Sequence, residues 1–154
     1  MIEVREAQAE ELMDFQQMDR DHDTREHITH YSLADHRREF ARAEITYLSI
    51  REDTRQIGYF ILAADTDAGS VEFRRIVIAE KGRGYGQAAI AAMEAYCVER
   101  WRCERIWLDV YETNPRGRHI YRKLGYRQFD SSEADGRKLL YMEKKPVDRS
   151  LHRR

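Results

Sequence analysis

The run Val71-Glu72-Phe73-Arg74-Arg75-Ile76-Val77-Ile78-Ala79-Glu80-Lys81-Gly82-Arg83-Gly84-Tyr85-Gly86-Gln87-Ala88-Ala89-Ile90 changes character twice. Val71 to Ile78 is rich in β-branched residues and reads as a long strand. Gly82, Gly84 and Gly86 then alternate with Arg83 and Tyr85. Beyond them Ile90, Met93, Cys97 and Trp101 recur at i, i+3, i+7 and i+11, the single apolar stripe of a helix packed on one side. A strand that feeds glycines into the start of a helix builds an anion site from backbone alone. Glycines let the chain approach a ligand, the first N–H groups of the helix lack internal partners, and the helix dipole favours negative charge. Lys81 and Arg83 add cationic charge for phosphate oxygens. A diphosphate is the natural guest.

Nucleotide readings fit the loop poorly. A P-loop needs Lys-Ser/Thr after its last glycine, and Gln87-Ala88 follows here. Gly84-x-Gly86-x-x-Ala89 formally matches a dinucleotide fingerprint, which belongs in a βαβ unit whose second strand ends on an acidic residue. Glu104 has about the right spacing but precedes the next strand, and three or more strands come before the loop. A plain turn into a helix, without ligand, is the remaining alternative.

Outward from the loop, the other elements follow from periodicity and turn residues. Upstream, Ile2 to Arg5 alternates as a strand. Leu12, Phe15 and Met18 share a helical face within Ala9 to Met18. Asp19 to Tyr31 has no clear period and reads as a solvated loop or broken helix. Leu33 to Ala43 is helical, with Ser32 as N-cap. Ile45 to Arg51 and Gln56 to Ala63 are strands joined by the polar turn Glu52 to Arg55. Downstream, Ile106 to Val110 is a strand. Asn114-Pro115 opens a short helix over Arg116 to Leu124, closed by Gly125. Tyr126 to Phe129 and Arg137 to Met142 are the last strands. The order β-α-α-β-β-β-α-β-α-β-β predicts a mixed α/β domain, one sheet with helices on its faces.

The chain has 154 residues, which suggests one domain over 1–145 followed by a basic tail over 146–154. Net charge is -1, so no global basic field holds a nucleic acid. No apolar run approaches the ~18 residues that cross a membrane, and Met1 to Glu6 lacks a signal-peptide core. A cytoplasmic location is the default. Cys97 and Cys103 have neither redox-pair nor zinc-ligand spacing and read as free thiols. His22, His27, His30 and His36 lie among Asp21, Asp23 and Glu26, but their spacings form no metal-ligand pair. No metal is expected.

Two further segments carry a resemblance. Lys81-x-x-Gly84-x-Gly86 resembles the Arg/Gln-x-x-Gly-x-Gly/Ala signature of the GCN5-related N-acetyltransferase (GNAT) superfamily. Asn114 to Tyr126 is similar to that superfamily's Asn-x-x-Ala-x-x-x-Tyr-x-x-x-Gly-Phe segment, and Trp107-Leu108-Asp109-Val110 to the strand before it. The likeness is firm over residues 71 to 130 and topological over 1 to 65. Lys81 stands for Arg or Gln, Gly117 for the usual Ala, and His119 lies beside an apolar core position. The resemblance implies a mostly antiparallel mixed sheet of six to seven strands with about four helices.

It also implies acetyl-coenzyme A as acyl donor. Backbone groups of Ile76, Val77 and Ile78 would bind pantetheine and polarise the thioester. Lys81, Gly82, Arg83, Gly84, Tyr85, Gly86 and Gln87 would cradle the diphosphate, and Asn114 would bond the pantetheine arm or a bridging water. Tyr121 matches the tyrosine near the coenzyme sulfur, a general acid for the thiolate. Glu72 matches the base of one histone-acetylating branch and Asp109 the acid of a ribosomal-protein-acetylating branch. Either carboxylate could instead pair with Arg74, Arg75 or Arg105. Asp21, Asp23 or Glu26 would attract a cationic acceptor.

The expected activity is acetyl transfer to a primary amine, on a small molecule or peptide, within a ternary complex. A homodimer is compatible with this reading. A non-catalytic acyl-coenzyme A sensor of the same fold, a transferase of another acyl group and a nicotinamide-binding enzyme are the alternatives.

Overall fold

The computed structural model describes residues 1–21, 31–80 and 83–146, with Asp21 by its backbone alone. His22, Asp23, Glu26, His27, His30, the Asp21 side chain, Lys81, Gly82 and the tail beyond 146 lie outside the described residues. Seven strands and four helices occur in the expected order: β1 (Ile2–Glu6), α1 (Leu12–Asp21), α2 (Leu33–Phe40), β2 (Ile45–Glu52), β3 (Arg55–Asp65), β4 (Ser70–Ile78), α3 (Tyr85–Trp101), β5 (Arg105–Tyr111), α4 (Pro115–Lys123), β6 (Arg127–Ala134) and β7 (Arg137–Lys144). A short 3-10 turn, Ala9–Glu11, leads into α1. Ser32 caps α2: its Oγ accepts from Asp35 N at 3.1 Å, and Asp35 Oδ2 accepts from Ser32 N at 2.9 Å. No helix among the described residues is long and apolar enough to cross a membrane.

The strands form one sheet in the order β1-β2-β3-β4-β5-β7-β6. Every pairing is antiparallel except β4 with β5, the two strands that α3 connects. β3 is central to the first half and buried on both faces. Phe60 and Leu62 enter a core against α3, while Tyr59 and Ile61 enter a second core against α1 and α2. This explains its nearly unbroken apolar run. On the α3 side, Ile90, Met93 and Cys97 of the expected stripe are buried, with Ala89 beside them, and Trp101 at its end is half-buried.

Two regions differ from the sequence reading. α1 runs on through Asp19 to Asp21, so Asp19 is a helical and buried residue, 1% exposed, and not part of a solvated loop. His36, grouped with the histidines of that segment, is 0% exposed. The β6–β7 hairpin is also longer than expected. Asp135 (φ 52°) and Gly136 (φ 74°) form its turn, and β6 continues through Asp130-Ser131-Ser132-Glu133. As the outer strand of the sheet, β6 is exposed along most of its length and needs no apolar alternation.

Candidate active site

β4 and β5 pair only at Ser70↔Arg105, Val71↔Ile106 and Glu72↔Trp107. β4 nevertheless runs to Ile78 and β5 to Tyr111. The two strands therefore part after Glu72, and their facing edges carry no ladder beyond it. A bulge accompanies the parting: Ile61 faces Arg75 and Leu62 faces Phe73, which leaves Arg74 as the extra residue. A bulge bends its strand and re-aims the side chains that follow. Phe73 and Ile76 pack on the α3 side, while Val77 packs on the α1–α2 side. Ile76, Val77 and Ile78 line the parted segment and pair with β3 alone, opposite Phe60, Tyr59 and Gly58. β3 passes close here, since a Cβ on Gly58 would lie 2.1 Å from the Val77 carbonyl oxygen.

The chain then leads to α3. Gly84 is its N-cap, in the left-handed region at φ 71°, ψ 10°. A side chain is disfavoured there by backbone geometry. A Cβ on Gly84 or on Gly86 meets nothing within 4 Å among the described residues. The first-turn N–H groups of a 17-residue helix lie at these glycines. The exposed Arg83 places Nε 3.8 Å from Glu80. Tyr85, included among the cradle residues from sequence, turns its side chain into the core instead and is 9% exposed. Its share in any anion site is limited to the backbone N–H. Gln87 is half-buried on the first turn.

α4 forms the opposite bank. Asn114 caps it, its Oδ1 accepting from Gly117 N at 3.0 Å. The glycine at 117 has a local cause: a Cβ there would approach Asn114 Nδ2 to 2.7 Å. Tyr121 packs edge-on to Phe73 at 5.8 Å and to Tyr126 at 6.1 Å between ring centroids. Burial among these rings, reinforced by the Asp109 charge, pushes its hydroxyl up to about 12. The hydroxyl has no hydrogen-bond partner among the described residues.

The three candidates for proton transfer converge at the point of parting. Asp109 acts electrostatically on Tyr121, and Glu72 on Asp109. Desolvation by the neighbouring strands raises the carboxyl of the exposed Asp109 above the usual aspartate range, Glu72 raises it further, and Arg74 opposes both. Glu72 Oε1 accepts from Arg74 Nη2 at 2.9 Å, so the pairing with Arg74 considered from sequence does form. Arg75 and Arg105 turn elsewhere, to Asp19 and Glu143. Beside Glu72 lies an open groove of about 480 Å³, whose lining includes Glu44, Asp65, Thr66 and Trp107. Apart from Trp107, no sequence motif marked these residues, which the ends of β2 and β3 bring beside β5 from distant segments. Their common signal is charge: three of the groove's side chains are carboxylates, suited to a cationic guest.

The model of the acetyltransferase (GNAT) family matches residues 5–126. The chain is 27% identical over 81 residues to the spermine/spermidine N(1)-acetyltransferase of Bacillus subtilis (strain 168), which covers 51% of this chain and 53% of that protein. It is 26% identical over 63 residues to the probable spermine N(1)-acetyltransferase of Bacillus subtilis subsp. natto (strain BEST195), 41% of each. The matched segment spans about half the length of these relatives. Among solved structures, the spermidine N-acetyltransferase from Vibrio cholerae in complex with CoA and spermine superposes with a TM-score of 0.80 at 16% identity, over 94% of this chain and 95% of that one. A dodecameric structure of the spermidine N-acetyltransferase from that organism gives 0.77 at 17% identity, over 94% of each chain. These likenesses establish the fold.

Proposed function

Because the chain belongs to the acetyltransferase (GNAT) family, we propose that it transfers an acetyl group from acetyl-coenzyme A to a primary amine of a polyamine-like, cationic acceptor. The parted β4–β5 edge carries this reading. It offers unpaired peptide groups along one side of a narrow opening, and Gly84 and Gly86, where a Cβ meets nothing within 4 Å among the described residues, lie at the start of the helix that follows. An extended ligand with amide groups and a terminal diphosphate matches both. When bound, acetyl-coenzyme A supplies an activated thioester.

The remaining chemistry falls to the chain's own side chains. Glu72 accepts the proton of the incoming ammonium, directly or through water, with Arg74 fixing the carboxylate's direction. Asp109, whose carboxyl is raised above the usual aspartate range by its surroundings, is the weaker candidate for that role. Tyr121 presents its O–H toward the leaving sulfur. With its hydroxyl pushed up to about 12, it acts as a hydrogen-bond donor that remains protonated, since full transfer to a thiolate of ordinary pKa near 8.5 is uphill. The Glu44, Asp65 and Glu72 carboxylates and the Trp107 ring make the groove a suitable place for the ammonium groups of the acceptor. The names of the Bacillus subtilis relatives, a spermine/spermidine and a probable spermine N(1)-acetyltransferase, support that acceptor class. The dodecamer of the Vibrio cholerae protein supports self-association, of which the homodimer expected from sequence is the simplest form.

The test is turnover of acetyl-coenzyme A with spermidine, spermine and a panel of monoamines, read by thiol release and by mass of the product. Acetylated polyamine formed faster than any acetylated monoamine is the expected result. Coenzyme A binding without turnover on any amine would mark a sensor of the same fold and overturn the catalytic reading.

A further inference from the structure

The core under α1 and α2 contains a charged cluster that no step above uses. Asp19 of α1 and Arg75 of β4 are 1% and 7% exposed, and His36 of α2 is 0% exposed. Asp19 Oδ1 accepts from the Tyr59 hydroxyl at 2.5 Å. Its Oδ2 lies 2.8 Å from His36 Nε2 and 3.5 Å from Arg75 Nη1. His36 Nδ1 lies 2.7 Å from the Tyr47 hydroxyl. His36 thus bridges the Asp19 carboxylate and the Tyr47 hydroxyl through its two ring nitrogens. Arg75 also stacks on Tyr31, its guanidinium carbon 4.2 Å from the ring centroid.

Packing alone gives no reason for such a set. Apolar side chains of similar volume fill a core at least as well as a buried ion pair, and losing one partner of the pair leaves an uncompensated charge. Its placement is the informative feature. Arg75 directly follows the bulged Arg74, and Arg74 grips Glu72 through Nη2 at 2.9 Å while reaching Glu39 of α2 through Nη1 at 3.5 Å. The two consecutive arginines thus connect the bulge to α1 and α2 by separate routes. One passes through Asp19 and the other through Glu39.

We propose that Asp19, His36 and Arg75 are positioning residues that set the β4 bulge, and through Arg74 the Glu72 carboxylate, relative to the acceptor groove. This rests on the reading of the chain as an amine acetyltransferase. The cluster lies on the acceptor side of β4, away from the Gly84 turn. Its loss therefore separates amine handling from coenzyme binding.

The experiment compares the full chain with Asp19→Asn, Arg75→Lys and the double variant Asp19→Asn/Arg75→Met. It measures kcat and KM for spermidine, the calorimetric Kd for coenzyme A, and Tm. Asp19→Asn keeps shape but removes the charge that Arg75 meets. Its kcat/KM for spermidine should fall about ten- to hundredfold, the range expected when a remote change shifts a reacting group by less than 1 Å to about 1 Å. Its Kd for coenzyme A should stay within twofold. The double variant removes both charges. It should recover Tm and leave spermidine turnover low, a split that a purely structural pair would not produce. Recovery of both properties overturns the proposal, as does a parallel loss of coenzyme affinity. If Asp19→Asn does not fold, Arg75→Lys keeps the charge while moving its donors, and it must show the same split; an unchanged kcat/KM also overturns the proposal. A wild-type chain that transfers no acetyl group to any amine refutes the functional reading itself and the positioning role with it. Normal wild-type turnover with no split refutes the positioning role only.

Discussion

Replacing Gly84 with Asp probes the proposed diphosphate cradle. Gly84 is in the left-handed region, and a Cβ there touches nothing within 4 Å among the described residues. The cost to the free protein is conformational, not steric. It is about 1 kcal/mol for a side chain in that region, or roughly 2–4 °C of Tm for a domain of this size. The cost to the ligand is larger. A carboxylate roughly 6 Å from a phosphate charge is repelled by about 3 kcal/mol at an effective dielectric near 20. That corresponds to about a hundredfold in affinity. Coenzyme A at about 100 times the wild-type Kd adds roughly 2.7 kcal/mol to the wild type and only about 0.4 kcal/mol to the variant. The expected ligand-induced shifts are roughly 5–11 °C and 1–2 °C respectively. Gly84→Ala has a similar backbone cost without the charge and should fall between them. The assay is thermal melting with and without coenzyme A at low ionic strength, checked by calorimetry. A folded Gly84→Asp that gains the full wild-type shift refutes the placement of the diphosphate on the α3 N-terminus.

Three other substitutions address the remaining parts of the site. Gly58→Ala drives a Cβ to 2.1 Å from the Val77 carbonyl oxygen and should lower stability by about 2–3 kcal/mol, the upper range for overpacking; an unchanged urea midpoint would contradict the close approach of β3 to β4. Tyr121→Phe should reduce kcat by about ten- to hundredfold, the loss of a hydrogen bond to the charged leaving sulfur worth roughly 1.5–3 kcal/mol, with coenzyme A affinity retained. Because that hydroxyl is pushed up to about 12, it stays protonated through pH 10, and any alkaline decline below that pH should appear in both wild type and variant. A decline confined to the wild type would disprove the assignment. Asp109 has a carboxyl raised above its unfolded value. The folded state then holds its proton more tightly than the unfolded chain, and stability from this group is lost as pH rises through the folded pKa. Asp109→Asn should accordingly melt above the wild type at pH 7, the gap closing as pH falls through the carboxylate range; the opposite order would show that the charge is stabilised in place.

What could be read from sequence depended on how local its cause was. The Asn114-Pro115 cap, the α3 stripe and the strand before Gly84 each arise from neighbours within a few positions, so their residue types suffice. The order of elements followed from them. Tyr85 had the right position for a cradle residue, but burial of its ring is decided by the tertiary core. Strand β6 extends beyond the sequence reading because both of its faces are exposed, so Asp130 to Glu133 lack the alternation that identifies strands. His36 and Asp19 are 17 residues apart and meet only when α1 and α2 close over β3. In sequence, they are indistinguishable from the charged segment between them. The bulge at Arg74 is likewise invisible locally, since it is a mismatch in count between two strands. The groove carboxylates Glu44, Asp65 and Glu72 come together through strand register alone.

The parting of β4 and β5 beyond their brief three-pair contact gives this sheet two facing inner edges besides the two at its rims. Exposed edges invite foreign strands and are a common origin of aggregation. Here the two facing edges belong to neighbouring strands of the same sheet and lie inside it, not at its rims. On the proposed reading, an extended ligand bound there completes the sheet in place of a missing strand.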